Sequence, residues 1–266
     1  MSHGRKASDN RYVSLIEEIF LSRYKAGATE LPFHRDELTA TAKRLKIKLP
    51  KNLGDAIYSI RYRMALPEAI AKRHPKGKEW VIEGRGRSRY AFRLVTVNRI
   101  VPNPQLATIK IPDATPEVVS AYALSDEQAL LAKVRYNRLL DIFLGVVAYS
   151  LQNHLRTSVA DLGQVEIDEI YVAIDKRGRQ YVLPVQAKGG NDRLSTVQAR
   201  QDMACCAEKF PQLICRAISA QFVDDNLIAL FELGRSGDEI RIIDERHYRL
   251  VLSDQISADD LKAYDV

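Results

Sequence analysis

The stretch VEIDEIYVAIDKRGRQYVLPVQAKGG, residues 165–190, decides the fold of this 266-residue chain. Residues 165–174 and 181–185 are rich in β-branched and aromatic side chains, which favour β-strands. The segment Asp175-Lys176-Arg177-Gly178 between them has the composition of a tight turn. The stretch therefore predicts a β-hairpin, around which the rest of the chain is interpreted.

Polar side chains interrupt the apolar runs of this hairpin. Asp168 and Glu169 lie in the first strand, and Gln186 and Lys188 end the second. Because side chains alternate across a strand, Gln186 and Lys188 face the same side, and only one of the two acids can join them. Pairing of the strands would bring an acid, an amide oxygen and an ammonium together at one end of a sheet. Such a group can hold a divalent metal ion beside a water molecule; a surface hairpin with scattered charge is the alternative.

An acid in one strand followed by Gln186-Ala187-Lys188 at the end of the next resembles the PD-(D/E)xK nuclease superfamily of restriction endonucleases and junction resolvases. The glutamine in place of the second acid is similar to the variant in Mrr-like restriction endonucleases. The chain departs from the motif at Ile167, where the family has proline. The resemblance implies an α/β, restriction-endonuclease-like domain with a central mixed sheet flanked by helices, and Mg²⁺-dependent hydrolysis of DNA.

The resemblance also implies roles for the hairpin residues. Asp168 would be the principal Mg²⁺ ligand, and the side-chain oxygen of Gln186 would be a second ligand. Lys188 would orient the attacking water or neutralise the charge that develops on the phosphate. Glu166 and Glu169 compete with Asp168 for the acidic role; Asp168 is preferred because families with this hairpin place the acid where further apolar strand follows it. A helix before the hairpin often lends an acid in this superfamily, and Asp141 is the candidate, although a capped or salt-bridged aspartate is the alternative.

The composition is that of a soluble protein, with 46% hydrophobic residues. No apolar run approaches the roughly 18 residues that a membrane span needs. The polar N-terminal segment has no apolar signal core, so we expect a cytoplasmic protein without a membrane partner. The three cysteines lack zinc-ligand spacing. No phosphate-loop or dinucleotide fingerprint is present, so we expect no nucleotide cofactor.

Charge divides the chain into two parts. Residues 1–100 contain 22 Lys and Arg against 10 Asp and Glu, whereas the whole chain has a net charge of only +6. A basic first part and a mildly acidic second part indicate two domains, of which the first contacts a polyanion such as nucleic acid. A solvated basic surface is the alternative.

The basic part has the pattern of a winged helix-turn-helix domain, predicted for residues 1–100. Apolar residues at helical spacing predict helices at residues 12–25, 35–45 and 53–62. Alternating residues then predict strands at 79–82 and 90–95, joined by a basic turn. The third helix would present DNA-binding side chains to the major groove, namely Lys51, Asn52, Tyr58, Arg61 and Arg63. The wing would present Arg85, Arg87 and Arg89 to phosphates or to the minor groove.

Four prolines between positions 102 and 116 indicate a linker, assigned to residues 101–119. The nuclease domain then covers residues 120–266. A helical pattern with a possible break is predicted from Ser125 to about Leu155, and it carries Asp141. Another helix is predicted at residues 194–210, and the remaining segments are predicted as strands: residues 213–222 and 227–231, with edge strands at 239–243 and 248–252.

The sequence thus predicts a Mg²⁺-dependent, site-specific endonuclease that cuts double-stranded DNA. A type II restriction endonuclease is preferred, and cleavage of both strands suggests a homodimer. A methylation-directed restriction enzyme of the Mrr type is the close alternative. A non-catalytic winged-helix regulator is the alternative from another class, although a regulator would not require Lys188 two positions from Gln186.

Overall fold

The computed structural model describes residues 3–49, 53, 66–96, 100–122, 126–189, 194–237 and 239–264. The chain is mixed α/β and divides into two units. Unit 1 consists of Met1–Val97 and Ser158–Gln164, and unit 2 consists of Asn98–Thr157 and Val165–Val266.

Unit 1 contains three described helices and a three-stranded antiparallel sheet in the order β1-β3-β2. Its elements are α1 (His3–Arg23), β1 (Glu30–His34), α2 (Arg35–Arg44), α3 (Glu68–Ala71), β2 (Lys78–Gly84) and β3 (Arg89–Thr96). The first two predicted helices and both strands are therefore confirmed, whereas β1 was not predicted. The predicted third helix, with Lys51, Asn52, Tyr58, Arg61 and Arg63, lies outside the described residues apart from Leu53.

Aromatic packing and a helix cap stabilise unit 1. The ring of Phe20 packs edge-on against Trp80 and Phe92, with centroid distances of 5.1 Å in both pairs. Helix α2 starts at a capping box: the Nδ1 of His34 accepts from the backbone N–H of Asp36, and the carboxylate of Glu37 accepts from the N–H of His34. The cap satisfies N–H groups at the start of the helix that have no intrahelical partner.

Unit 2 is built on a mixed sheet in the order β4-β11-β10-β9-β7-β6-β5, with β8 paired to β7. Its strands are β4 (Thr108–Pro112), β5 (Val147–Val159), β6 (Gly163–Ile174), β7 (Gln180–Lys188), β8 (Ile214–Cys215), β9 (Ala217–Asp224), β10 (Leu227–Ser236) and β11 (Glu239–Val251). Strands β7 and β9 are parallel, as are β4 and β11, while β6/β7, β9/β10 and β10/β11 are antiparallel.

Helices cover both faces of this sheet. The helices of unit 2 are α4 (Glu117–Tyr122), α5 (Asp126–Tyr136), α6 (Leu139–Leu144), α7 (Thr196–Lys209) and α8 (Ala258–Ala263). Leu130 of α5 and Leu140 of α6 share one core with Leu183 of β7. Ala199 of α7 belongs to another core with Phe231 of β10. The prediction of a mixed sheet flanked by helices is confirmed.

The hairpin prediction is also confirmed. Strands β6 and β7 pair in a register that places Ala173 opposite Tyr181. The N–H of Gly178 donates to the carbonyl of Asp175 at 2.9 Å, and the φ of 78° at Gly178 lies in the left-handed region that glycine adopts without strain. Successive residues of β7 alternate between the two helical layers, as their position in a central strand requires.

The predicted helix from Ser125 to about Leu155 is wrong beyond Leu144. Helix α6 ends at Gly145, whose φ is 63°, and strand β5 begins at Val147. Val147 and Leu151 are 40% and 52% exposed, so the apolar spacing that suggested a helix does not form a buried stripe. The β-branched and aromatic residues of this segment join the sheet next to β6 instead.

Two further segments differ from the sequence prediction. The predicted linker, residues 101–119, includes β4, which pairs in parallel with β11 and forms an edge of the sheet. The two predicted edge strands near the C-terminus are one continuous strand, β11, which lies between β10 and β4. In the described part of the chain, no helix combines the length and apolar character needed to cross a membrane.

Candidate functional site

Strands β6 and β7 bring Asp168 and Lys188 together at one end of their pairing. The Nζ of Lys188 lies 4.0 Å from the Oδ2 of Asp168, and this oxygen also accepts the backbone N–H of Ala187 at 2.9 Å. Both side chains remain partly accessible, with 14% of Lys188 and 20% of Asp168 exposed. An acid and an ammonium therefore meet where solvent and a ligand can reach them.

The electrostatic environment of Asp168 opposes its ionisation. Burial raises the pKa of this carboxyl above its ordinary value, and the effect exceeds the opposing contributions of Lys188, the Ala187 N–H and His154. The neighbouring acid Glu166 raises the pKa further. A cation beside Asp168 would offset the cost of the buried negative charge.

The side chain of Gln186 is fully buried and its amide is fixed at both ends. Its Oε1 accepts from the Nε2 of Gln198 at 2.9 Å, and its own Nε2 donates to the backbone carbonyl of Glu166 at 3.0 Å. Gln198 belongs to α7, so the amide lies between the sheet and this helix. Gln186 thus adjoins Asp168 along the sheet, but in this arrangement its oxygen faces α7.

Behind Gln186 the structure places polar residues that the sequence reasoning did not assign to the site. Asp202 of α7 is 2% exposed, and Ser219 and Gln221 of β9 are fully buried. Strand β9 pairs with β7 so that Ser219 is opposite Gln186 and Gln221 is opposite Lys188. Three oxygen atoms of this group have no hydrogen-bond partner in the described structure: the Oδ1 of Asp202, the Oγ of Ser219 and the Oε1 of Gln221.

Asp202 is the most perturbed acid of the group. Burial raises its pKa well above the ordinary value, and a hydrogen bond with Gln186 and the charge of Lys188 only partly oppose this shift. The sequence contained one usable signal, since Gln198, Gln201 and Asp202 recur at helical spacing on a single face. It contained no local signal for Ser219, because a long-range parallel pairing brings this residue to Gln186.

His154 was also missed. It lies in β5, where its φ of 48° is unusual for a residue other than glycine, and it favours the ionised form of Asp168. The helix predicted to continue to about Leu155 would have ended at this residue. The incorrect helix prediction for this segment concealed its position near the site.

Glu169 lies on the opposite face of β6. Its Oε1 accepts from Arg135 at 2.8 Å and 3.0 Å and from the Oγ of Ser150 at 2.5 Å, and the side chain is fully buried. These contacts join α5, β5 and β6 in a structural ion pair. Glu169 does not share the cluster of Asp168 and Lys188, as the alternation of side chains required.

Asp141 is engaged away from the hairpin end. Its Oδ1 accepts from Arg138 at 2.5 Å and from the backbone N–H of Ala148 at 3.1 Å. A different acid on the preceding helices lies beside the site: a Cβ placed on Gly189 would be 2.6 Å from the Cβ of Asp126. The first residue of α5 therefore packs against the chain directly after Lys188.

In unit 1, the three wing arginines lie at the turn between β2 and β3, and all are exposed. The backbone N–H of Arg85 donates to the carbonyl of Arg89 at 2.8 Å and closes the turn. The side chain of Arg85 also pairs with Glu30 at 2.9 Å. Glu30 thus partly neutralises the charge of Arg85, whereas Arg87 and Arg89 present their charges to solvent.

Among the described residues, no group of three or more His, Cys, Asp or Glu side chains is arranged to hold a metal ion. Comparison of the chain with protein-family models, with curated proteins and with solved structures gave no significant match in any of the three.

Proposed function

We propose that this protein is a Mg²⁺-dependent endonuclease that hydrolyses double-stranded DNA, with a restriction-endonuclease-like unit 2 and a winged-helix reader in unit 1. A type II restriction endonuclease is the preferred role. A methylation-directed enzyme of the Mrr type is the close alternative, because it would combine the same two domains. The observation that carries the proposal is the meeting of Asp168 and Lys188 at 4.0 Å, next to Gln186. The acid, amide and lysine of the resembled motif thus occupy neighbouring positions on paired strands.

The donor atoms fit a weakly held Mg²⁺. Magnesium prefers hard oxygen ligands, keeps several waters and needs only one or two protein carboxylates besides substrate phosphate. Asp168 provides a partly accessible carboxylate, and Gln186 would provide an amide oxygen. Asp126 is a nearer candidate than Asp141 for an acid contributed by the preceding helices. When bound, the ion would supply positive charge and lower the pKa of its water.

Lys188 has a separate role in this proposal. Its ammonium is a donor and a positive charge held beside the acid, so it can orient the attacking water and stabilise the charge that develops on the phosphate. Ala187 fixes Asp168 through its N–H, which leaves the other carboxylate oxygen for a cation. The buried layer of α7 and β9 excludes water from behind the site, which strengthens these electrostatic interactions.

Unit 1 supports a DNA-reading role through its order of elements and its charge. Helices α1 and α2 precede the β2–β3 hairpin, and β1, which lies between the two helices in the chain, pairs with β3. The turn between β2 and β3 exposes Arg87 and Arg89. Phosphate contacts from arginines position a protein on the duplex without reading its sequence. The predicted recognition helix is part of the proposal but lies outside the described residues.

Plasmid cleavage tests the function directly. Purified protein incubated with supercoiled plasmid should produce nicked or linear DNA with Mg²⁺ and none with EDTA. Lys188→Ala should be inactive, and Lys176→Ala, which removes a lysine at the other end of the same hairpin, should be active. Metal-independent DNA binding without cleavage on any methylated or unmodified substrate would instead favour the non-catalytic regulator.

A further inference from the structure

A buried polar layer separates α7 from strands β7 and β9. The sheet contributes the buried residues Gln186, Ser219 and Gln221. The helix contributes the buried Asp202 and the half-buried Gln198. A buried polar group costs free energy unless it is hydrogen-bonded, and three oxygens of this layer have no partner in the described structure. Apolar residues would pack the same interface with less cost. A layer of this kind directly behind the candidate site suggests that it serves the site rather than the fold.

Gln186 is the member of the layer that reaches the site, and two α7 residues enclose its amide. Gln198 donates to the Oε1 of Gln186 at 2.9 Å. Asp202 lies one helical turn further along α7, and the Gln186 amide favours the ionised form of its buried carboxyl. The remaining contact is with the backbone carbonyl of Glu166, an acceptor that cannot become a donor.

The geometry points to Gln198 and Asp202 as positioning residues that set the orientation of the Gln186 amide and thereby decide whether its oxygen faces a cation at Asp168. The first half of this inference concerns contacts alone; the second half rests on the proposed nuclease function. Neither residue needs to touch metal or substrate to act in this way.

The hydrogen bonds of Gln186 show why the orientation of its amide matters. In the observed arrangement the Gln186 oxygen accepts a hydrogen bond from Gln198, and the Gln186 NH₂ group donates to the Glu166 carbonyl. To give its oxygen to a cation, the amide must turn. Gln198 can follow by turning its own amide, since an amide is both donor and acceptor. Among the described residues, the Oδ1 of Asp202 has no hydrogen-bond partner, and it can accept an N–H that the turn releases.

Side-chain NMR tests the contact directly in the full-length protein. Selective ¹⁵N labelling of glutamine gives one NH₂ signal pair per residue, and Gln186→Glu identifies the pair of Gln186 by its loss. Asp202→Ala should shift the Gln186 signals, whereas Asp202→Asn, which keeps shape and hydrogen-bonding ability, should largely restore them. Glu208→Gln, which neutralises an acid near the end of the same helix, is the matched control and should leave them unchanged.

Calorimetric titration with Ca²⁺ tests the functional half. Supporting residues behind metal ligands typically change affinity by about 10–100-fold, so Asp202→Ala should weaken Ca²⁺ binding at least about tenfold. Asp202→Asn should stay within a few-fold of the wild type. Gln198→Ala provides a second variant if Asp202→Ala does not fold, because alanine favours the helix.

The outcomes separate the two proposals. Gln186 signals that are identical in wild type, Asp202→Ala and Gln198→Ala would overturn the positioning role, whatever the enzyme does. Shifted signals with unchanged Ca²⁺ affinity would overturn the functional half. A wild type that neither binds Ca²⁺ nor cleaves DNA would remove the nuclease proposal, and the NMR result would still decide whether α7 fixes Gln186.

Discussion

Lys188 on β7 lies 4.0 Å from Asp168 on β6, a carboxyl whose pKa is raised by burial in spite of this lysine. This distance is longer than that of a hydrogen-bonded ion pair, but the two charges still interact electrostatically. At this distance one water or phosphate oxygen can contact both groups from the side. It is the relationship on which the functional predictions depend.

Lys188→Ala should abolish cleavage and leave DNA binding nearly unchanged. The lysine is proposed to act on charge that develops in the transition state, so its loss should lower kcat by about 10²–10³-fold with little change in affinity. Single-turnover cleavage and a filter-binding assay in Ca²⁺ measure the two quantities. Wild-type turnover in this variant would remove the lysine from the mechanism and the nuclease proposal with it.

Asp168→Asn should stabilise the metal-free protein at neutral pH. An acid with a raised folded-state pKa favours folding in its protonated form, so its stability contribution is lost as pH rises from the unfolded to the folded pKa. Asparagine does not ionise, so the variant does not lose stability in this way as the pH rises. Since about 1 kcal/mol shifts Tm by about 2–4 °C in a chain of this size, we expect a rise of a few degrees at pH 7 and almost none at pH 3. If the variant and the wild type have the same Tm at pH 7 as well as at pH 3, burial does not destabilise the ionised form of Asp168.

Sequence reasoning succeeded where the local signal and the tertiary structure agreed. The hairpin was predictable because both strands have β-forming side chains and Gly178 marks the turn. Strand β5 was not, because Val147 and Leu151 also fit a helical spacing, and only pairing with β6 decides between the two. The alternation rule separated Glu169 from Asp168 but could not show which acid Arg135 would bind.

The inner part of the site was beyond sequence reasoning for a similar reason. Gln186 and Lys188 share a face by strand geometry alone, so their association was predictable. Ser219 and Asp202 reach them through a parallel pairing and a helix packing that join distant segments. Burial of a polar residue also leaves no mark in the sequence, since the same side chain is ordinary on a surface.

Glu169→Ala should destabilise the fold without abolishing cleavage. It removes the carboxylate that forms an ion pair with Arg135, whose side chain is 36% exposed, and this partial exposure reduces the penalty of the unpaired charge. We expect a loss of about 1–3 kcal/mol in the free energy of unfolding, measured by urea denaturation. The double variant Glu169→Leu with Arg135→Leu should recover part of the loss. If Glu169→Ala remains folded but inactive, Glu169 rather than Asp168 is the catalytic acid.

Arg87 and Arg89 should contribute more than Arg85 to DNA binding. Each phosphate contact adds about 0.9 to the slope of log K against log salt, so replacing Arg87 and Arg89 by alanine should flatten the slope by up to about two. Arg85→Ala should have a smaller effect because Glu30 already pairs with this side chain. Binding is measured in EDTA, with Lys262→Ala as the control for loss of one charge. A slope that stays the same in the double variant would mean that the wing does not touch the backbone.

Gln186→Glu should make stability dependent on metal. The glutamate occupies nearly the same volume but cannot donate to the Glu166 carbonyl, which Gln186 contacts at 3.0 Å, and it adds a buried negative charge near Asp168 and Asp202. Without metal we therefore expect a loss of about 1–3 kcal/mol in the free energy of unfolding. A cation offsets the added charge, so Mg²⁺ should raise the Tm of this variant more than that of the wild type.

Gln186→Ala is the matched comparison, because it removes the amide without adding charge. It should lose both metal affinity and cleavage, whereas Gln186→Glu should bind metal more tightly and keep measurable cleavage. An ion pair between the new carboxylate and Lys188 would slow hydrolysis while keeping the tighter binding, and that result also keeps residue 186 in the site. Calorimetric Mg²⁺ affinities and metal-induced Tm shifts that are the same for wild type and both variants would place Gln186 outside the metal site.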